Sequence, residues 1–271
     1  MNSNMLNDNT VWVRGAGELG SGIAHLLHRV GFSVFLSEIS PPLAIRRPVS
    51  FSDAIFEGEK IVEGVVARLG KNSQLPTSRP WTEIPLFEDE SEKLLQLKPD
   101  VIVDARMLKR YDLDYRSWAK LFIGLGPGFN TSENCHRAIE TMRGHDLGRV
   151  ILQGEPLADT GVPGKLGGET SRRLMRASEA GHVEWLVNFG AMVHEGQTLG
   201  TLNGTIPLLA PLDGMIRGMI SPLTPVSKNM KIGDVDPRGA GVKYLQLSEK
   251  VRAIAAGVFE AIVLYFKDQR L

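Results

Sequence analysis

One stretch of sequence, residues 11–39, constrains the fold of this chain more than any other. It opens with a short apolar run, Val11 to Val13, which predicts a buried strand. Glycines with the spacing GxGxxG come next, and apolar residues then recur at i, i+3, i+4 and i+7, as in an amphipathic helix. Residues 33–39 predict a second strand. The stretch therefore predicts a strand, a glycine turn, a helix and a second strand in succession.

The residues of this turn have separate mechanical roles in a dinucleotide site. Gly15 permits the tight bend, Gly17 lets a pyrophosphate approach the backbone, and Gly20 lets the helix pack closely on the strand. Glu18 and Leu19 complete the turn at the helix amino end, where unpaired N–H groups and a partial positive charge favour a phosphate. We therefore expect all five residues to line a cofactor site.

An acidic residue lies where the ribose of a dinucleotide needs a hydrogen-bond acceptor. Glu38 comes 18 residues after Gly20, at the end of the second predicted strand. In this context the glycine pattern predicts an α/β fold, a Rossmann-like doubly wound parallel sheet over about residues 10–170. An alternative remains open, in which the same fold keeps the turn for packing and binds nothing.

Two adjacent arginines follow the second predicted strand. Pro41 and Pro42 end that strand, and Arg46 and Arg47 then arrive just beyond the sheet edge where ligands bind in open α/β sheets. Such a pair could hold a phosphate through two parallel hydrogen bonds. The arginines favour an additional phosphate, whereas Glu38 favours a ribose hydroxyl. A solvated surface pair is the alternative.

Two later segments end in residues that suit the same sheet edge. The run DVIVDAR, residues 100–106, predicts a buried strand whose polar end places Asp104 and Arg106 at the edge. The apolar run that starts at Leu121 leads into a second glycine-rich turn, and Gly126 is its candidate for close backbone approach to a ligand. This second turn could equally be a tight turn without a ligand.

Charge and composition exclude several classes of function. Lys plus Arg and Asp plus Glu both number 31, so no global field attracts nucleic acid or an anionic membrane. The amino terminus has no apolar signal core, and no apolar run approaches the ~20 residues that span a bilayer. We therefore expect a cytoplasmic protein with neither a nucleic-acid nor a membrane partner.

Candidates for proton chemistry are few. A single cysteine, Cys135, excludes an intramolecular disulfide and a Cys-rich metal site. His136, His145 and Asp146 follow it without the spacing of metal ligands, so surface or turn roles are expected and no metal site is predicted. The chain shows no acid, base and nucleophile constellation, and whether it is an enzyme stays open.

The second half of the chain, about residues 171–271, contains an internal repeat at an offset of 33 residues. The matches include Ala177 with Ala210, Gly181 with Gly214 and Gly200 with Gly233. Two short β units of this kind predict a small barrel-sandwich hybrid. A helical pattern over residues 248–266 predicts a final helix that packs on either domain or across a homo-oligomer interface.

The repeat resembles biotinyl and lipoyl carrier domains, with phrases such as FGAMVHEGQTLG and APLDGMIRG. In those carriers the modified lysine lies on the hairpin between the two copies. The corresponding segment here, residues 203–209, contains no lysine. The resemblance therefore implies the carrier fold without attached biotin or lipoate.

Longer phrases resemble one bacterial family, the accessory proteins of the selenium-dependent molybdenum hydroxylase system. They are VRGAGELGSGIAHLLHRVGF, SEISPPLAIRRPVSFSDAIFEGE, ETMRGHDLGRVI, DTGVPGKLGG, APLDGMIRG and KIGDVDPRG. The first domain also resembles the xanthine dehydrogenase accessory family. The resemblance implies a maturation protein that docks on a molybdenum hydroxylase and binds a nucleotide or a phosphorylated cofactor, of the dinucleotide or molybdopterin type. It implies no catalytic residues.

Two other hypotheses stay open at this point. The glycine turn with Glu38 also suits an NAD(P)-dependent oxidoreductase. A non-catalytic interaction module is the third possibility, in which the repeat and the final helix build an oligomer.

Overall fold

The structure of this chain is a computed structural model, and it describes residues 9–70, 74–79, 81–162 and 164–269. No helix in the described part of the chain is both long and apolar enough to cross a membrane.

The chain divides into two compact units. Unit 1 comprises residues 1–40, 50–159 and 247–271, and unit 2 comprises residues 41–49 and 160–246. The structure thus differs from the predicted boundary in two places. The segment with the two adjacent arginines groups with unit 2, and the final helix groups with unit 1.

Unit 1 is built on one nine-stranded sheet. Its strands are β1 (Thr10–Arg14), β2 (Ser33–Glu38), β3 (Glu59–Val62), β4 (Val65–Leu69), β5 (Ile84–Glu88), β6 (Val101–Asp104), β7 (Leu121–Leu125), β8 (Arg137–Ile139) and β9 (Val150–Ile151). Their spatial order is β3-β4-β5-β2-β1-β6-β7-β8-β9. Neighbouring strands from β4 to β8 are parallel, whereas β3 and β9 pair antiparallel at the two edges.

Four α-helices belong to unit 1. They are α1 (Glu18–Arg29), α2 (Ala54–Glu57), α3 (Ser91–Leu95) and α4 (Glu249–Asp268). The predicted succession of strand, turn, helix and strand is confirmed by β1, α1 and β2, and the predicted final helix is confirmed by α4. Short 3-10 turns occur at Arg47–Val49, Phe51–Asp53, Arg116–Trp118 and Gly239–Gly241.

The two faces of the nine-stranded sheet are covered differently. Register places Trp12, Phe35 and Ile102 side by side on one face, because Trp12 lies opposite both of the others. That face carries an aromatic cluster completed by side chains from loops, among them Tyr115 and Phe129. Because this cluster contains no residue of α1 or α4, we place the two long helices on the opposite face.

The predicted doubly wound parallel sheet is therefore wrong. The sheet is mixed, and long helices cover only one of its faces. The segments between β6 and β7 and between β7 and β8 are rich in Gly, Pro, Asp and Asn and contain no α-helix. Aromatic side chains from these loops cover the face that helices cover in a doubly wound sheet.

Unit 2 contains two antiparallel sheets around one apolar core. Its strands are β10 (Leu174–Arg176), β11 (Val183–Trp185), β12 (Met192–Val193), β13 (Thr198–Leu202), β14 (Ile206–Leu209), β15 (Gly214–Met219) and β16 (Lys231–Asp236). The four-stranded sheet has the order β10-β16-β15-β12, and the three-stranded sheet has the order β11-β13-β14. Val183, Leu199 and Ile232 are fully buried in the common core.

The predicted barrel-sandwich hybrid is corrected to these two separate sheets. The first repeat copy contributes strands of only two or three residues at β10, β11 and β12, because its turns are closely spaced. Such short strands pair with different partners, β16, β13 and β15 respectively, so the copies do not form two equivalent units.

Candidate functional site

The carboxyl ends of the parallel strands meet at one edge of the nine-stranded sheet. The chain runs outward from β1 to β2 and then returns to place β6 on the other side of β1. Loops diverge at such a reversal of strand order, which is where open α/β sheets bind ligands. The residues that follow β1, β6 and β7 at this edge include Gly15, Arg106 and Gly126.

The three glycines after β1 have different surroundings. Gly15 has a φ of +92°, and a Cβ there would lie 3.3 Å from the backbone of Ala105 and of Arg106. A Cβ on Gly20 would lie 1.8 Å from the carbonyl oxygen of Gly15. Gly17 has a φ of −66°, and no described atom lies within 4 Å of the position of its Cβ. Two of the glycines therefore serve packing, and only Gly17 faces open space.

The polar groups of the turn are largely paired within the protein. The N–H of Gly15 donates to Ser37 O at 2.8 Å, and the N–H of Ala16 donates to Glu38 Oε2 at 2.8 Å. The carbonyl of Ala16 accepts hydrogen bonds from Ser21 Oγ at 2.8 Å and from Ser52 N at 3.0 Å. The first part of the turn is thus held rigidly and keeps few donors for a ligand.

Glu38 lies where it was expected, at the end of β2, but its carboxylate holds the turn. Oε2 accepts from Ala16 N, and Oε1 accepts from Ile39 N at 2.9 Å. Burial raises the pKa of Glu38, although these two donors act against the rise. Because both oxygens already accept backbone N–H groups, the predicted contact with a ribose hydroxyl has lost its acceptor.

The amino ends of α1 and α4 lie near each other. Gly22 packs against Val251 and Leu247, and the rings of Phe32 and Phe259 meet farther along, 6.5 Å apart, so the two helices run in the same direction. Neither helix has a side-chain hydrogen bond at its N-cap, which is Gly17 in α1 and Ser248 in α4. Two uncapped helix amino ends therefore point toward the same edge of the sheet.

Lys250 lies in the first turn of α4, half-buried, and makes no hydrogen bond or ion pair with any described residue. Burial lowers the pKa of its ammonium group, and the nearby Arg143 lowers it further. Glu18 and Glu140 act in the opposite direction, so both carboxylates lie within electrostatic range of Lys250.

Glu140 follows β8 at the same edge and is 3% exposed. Its Oε1 accepts from the N–H groups of Thr141 and Met142, both at 2.7 Å, and its Oε2 accepts from Leu157 N at 2.8 Å. Sequence reasoning missed both Glu140 and Lys250. An acidic residue directly after the short apolar strand β8 was the available signal for Glu140, whereas Lys250 carried none.

Asp104 lies at the end of β6, as expected, and is fully buried. Its Oδ2 accepts from Arg106 Nη2 at 2.6 Å and from Arg14 Nη1 at 3.3 Å. The guanidinium of Arg14 lies 5.1 Å from the ring centroids of both Trp12 and Trp118. Asp104 thus links two arginines in a buried ion network and holds the end of the strand.

The other predicted site residues have structural partners or no described polar contact of their side chains. Arg46 donates to the carbonyls of Arg217 at 2.9 Å and Tyr244 at 3.4 Å, and the guanidinium of Arg47 lies 5.9 Å from the ring centroid of Phe189. These contacts all lie within unit 2. Leu19 is half-buried in the first turn of α1.

Gly126 has a φ of +70°, and a Cβ there would lie 2.5 Å from Thr141 Oγ1. The backbone at this position therefore approaches a side chain of the protein itself, and it needs glycine for conformation as well as space.

The residues considered for proton chemistry are not gathered into a site. Burial raises the pKa of the Cys135 thiol to about 12, so the thiol stays protonated and unreactive. His136 Nδ1 accepts from Phe122 N at 2.9 Å, and burial lowers its pKa. His145 is exposed, and Asp146 pairs with Arg149 at 2.9 Å. Across residues 9–70, 74–79, 81–162 and 164–269, no three His, Cys, Asp or Glu residues are grouped to hold a metal ion.

Comparison with known proteins finds one curated relative of clear similarity. No family model matches the chain. The chain is 42% identical over 258 residues to a protein of Escherichia coli K12 described as uncharacterized protein YqeB. The match covers 94% of this chain and 47% of the relative, so the chain spans about half the length of the relative.

Solved structures with some likeness have 13–14% identity and TM-scores of 0.26–0.29. They include a succinylglutamate desuccinylase/aspartoacylase from Rhodobacter sphaeroides (TM-score 0.26, 84% of this chain and 85% of that chain). An aspartoacylase family protein from Mesorhizobium loti has a TM-score of 0.29, with 84% of each chain covered. The product-bound ectoine utilization protein EutE (DoeB) from Ruegeria pomeroyi has a TM-score of 0.27, again with 84% of each covered. Scores of this size carry no argument about the activity of this chain.

These findings correct the family assignment made from sequence phrases. The sequence relative is described as uncharacterized, and the solved structures carry desuccinylase, aspartoacylase and ectoine-utilization titles. Nothing in them points to a molybdenum hydroxylase accessory family, so that assignment and the maturation role implied by it are wrong.

The predicted dinucleotide or molybdopterin cofactor is corrected with it. The turn that suggested such a cofactor has its acceptor Glu38 occupied by backbone N–H groups. The contacts described for Arg46 and Arg47 lie within unit 2. The oxidoreductase hypothesis depended on the same acceptor and is dropped for the same reason.

Proposed function

We propose that this chain binds a small ligand carrying a phosphate group at the carboxyl edge of the nine-stranded sheet, beside the amino ends of α1 and α4. One observation carries the proposal. Gly17 faces open space at an uncapped helix amino end, while Gly15 and Gly20 in the same turn are closely packed.

A helix amino end is a suitable place for an anion. The first N–H groups of a helix have no intrahelical partner, and the helix dipole adds about half a positive charge there. A phosphate that approaches Gly17 reaches the N–H groups of the first turn of α1, because no side chain stands in the way. The neighbouring amino end of α4 adds a second dipole of the same sign.

Lys250 supplies the opposite charge. A cation in the first turn of a helix is unfavourable, because the dipole there is positive, and partial burial removes water from the ammonium group. A bound phosphate compensates both costs. This accounts for a half-buried lysine without a hydrogen bond or ion pair among the described residues.

The test measures phosphate binding against one substitution in the open space. Inorganic pyrophosphate and ribose 5-phosphate are titrated into the purified chain by calorimetry and by thermal unfolding. A ligand at about 100 times its Kd adds about 2.7 kcal/mol to the free energy of unfolding. Gly17→Val places a side chain in the path of the phosphate, so binding is lost. Gly241→Val is the matched control, because Gly241 has a non-positive φ and no described atom within 4 Å of its Cβ position.

A second pair of variants tests the charge. Lys250→Gln removes the amine and is expected to weaken phosphate binding about tenfold or more, since a hydrogen bond to a charged group contributes about 1.5–3 kcal/mol. Lys243→Gln is the control, because Lys243 is exposed and its side chain has no hydrogen bond or ion pair in the described part of the chain. The absence of saturable binding by the wild-type chain, or equal binding by Gly17→Val, overturns the proposal.

A further inference from the structure

A cavity of 380 Å³ lies between α1 and α4, away from the glycine turn. Its volume is within the range of small-molecule pockets, roughly 300–1,000 Å³. The cavity extends along α1 to Arg29, the last residue of the helix, whereas Gly17 precedes the first. The proposed phosphate site does not involve these residues.

The walls of the cavity are apolar. They consist of Leu26 and Val30 from the α1 side and Leu247, Val251, Ala255 and Ala256 from the α4 side. Small residues on α4 leave space between the helices, while the close contact of Gly22 with Val251 sets their separation. Such walls favour a hydrocarbon group over water.

The charges around the cavity are unbalanced. Arg252 donates two hydrogen bonds of 3.0 Å to the carboxylate of Glu63, which also accepts from Leu247 N at 2.7 Å. The charge of Arg252 is therefore neutralised. Arg29 is exposed at the cavity and has no hydrogen bond or ion pair from its side chain to a described residue. One uncompensated positive charge remains.

His25 adds no charge to the cavity at neutral pH. It is 4% exposed, and burial lowers its pKa, as do the nearby Arg29 and Arg252. A backbone hydrogen bond with Glu63 and the Glu63 carboxylate act in the opposite direction without reversing the shift. The lining thus combines apolar walls, a neutral imidazole and one unpaired guanidinium.

We infer that the cavity between α1 and α4 binds a monocarboxylate with a short aliphatic chain, with its carboxylate on Arg29 and its chain along the apolar walls. A guanidinium pairs with a carboxylate through two parallel hydrogen bonds, which fixes the orientation of the ligand. The ligand fills space that is otherwise lined by half-buried aliphatic side chains and balances the charge of Arg29.

Octanoate is the probe, titrated into the whole chain by calorimetry and followed by NMR. We expect saturable binding at one site. Arg29→Gln is expected to weaken binding about tenfold, whereas Arg110→Gln, a control at an exposed arginine with no described side-chain partner, leaves it unchanged. Ala256→Trp fills the cavity from an exposed helical position and is expected to abolish binding without lowering the unfolding midpoint.

Octanol, which has the same chain without the charge, is expected to bind at least tenfold more weakly than octanoate. Equal binding of octanol and octanoate overturns the inference, as does octanoate binding that survives both Arg29→Gln and Ala256→Trp, or no saturable binding by the wild type. Pyrophosphate titration of the same variants is expected to be unchanged, which keeps this site distinct from the one at Gly17.

Discussion

Two glycine-rich turns follow parallel strands of the same sheet, and only one of them leaves open space. In the second turn a Cβ on Gly124 would lie 2.0 Å from the ring of Phe129, and a Cβ on Gly128 would lie 2.6 Å from Lys109 O. In the first turn, Gly17 has no described atom within 4 Å of its Cβ position. Glycine spacing alone therefore does not distinguish a ligand site from a packing requirement.

The difference arises from what covers each turn. The ring of Phe129 stacks on Tyr111 with centroids 3.8 Å apart, and both belong to the loops that cover the aromatic face of the sheet. These rings occupy the space that the glycines of the second turn leave. At the first turn the backbone of Ser52 contacts Ala16, so the cover ends one residue before Gly17.

The largest effect is expected at a packed glycine of the first turn. Gly20→Ala places its Cβ 1.8 Å from the carbonyl oxygen of Gly15, and that backbone is held by hydrogen bonds on both sides. Overpacking of this kind costs typically 1–3 kcal/mol, and we expect about 3 kcal/mol because the clashing atom is backbone. Urea unfolding measures the loss. A change as small as that of the control Gly17→Ala would contradict the packing role of Gly20.

A smaller loss, of about 2 kcal/mol, is expected for Gly126→Ala in the second turn. A non-glycine residue at its φ of +70° costs about 1–3 kcal/mol, and the added Cβ also meets Thr141 Oγ1. Gly64→Ala separates the two causes, since Gly64 has a φ of +82° and open space at its Cβ position. If both variants lose equal stability in urea unfolding, the contact with Thr141 contributes nothing.

Acidification is expected to act on the strand that leads into the second turn. His136 Nδ1 accepts the N–H of Phe122, and burial lowers its pKa in the folded state. Since the unfolded chain binds the proton more readily, the stability contributed by neutral His136 is present above about pH 6.5 and lost as pH falls through that value.

The variant His136→Asn keeps an acceptor oxygen that does not titrate. Its free energy of unfolding should therefore fall less steeply between pH 7 and pH 5 than that of the wild type, in urea titrations at several pH values. His145→Asn, at an exposed histidine, serves as the control. Identical slopes for the wild type and His136→Asn would remove His136 from the pH dependence.

The smallest effect on stability is expected at the open glycine. Gly17→Val meets no described atom and has an ordinary φ of −66°, so we expect a loss below about 1 kcal/mol, the size of an N-cap effect. Thermal and urea unfolding measure it. A loss as large as that of Gly20→Ala would show that the space at Gly17 is closed in solution.

The sequence by itself predicted the elements whose signals are local. Residues 10–38 carry strand, turn and helix patterns within one continuous stretch, and β1, α1 and β2 appear there. The periodicity of residues 248–266 likewise predicted α4. Residues 60–69 alternate too poorly for sequence to choose between helix and strand, and pairing of β3 with β4 decided that segment.

The tertiary structure decided everything that depends on which distant segments meet. Glu38 was placed correctly at the end of β2, but only the folded turn brings Ala16 N to its carboxylate. Lys250 is near Glu18 because α4 packs beside α1, across more than 200 residues of chain. Periodicity reports which face of an element is buried, whereas the partner of that face depends on the shape and length of all the other elements. The strands and helices were therefore readable from the sequence, and the open space at Gly17 was not.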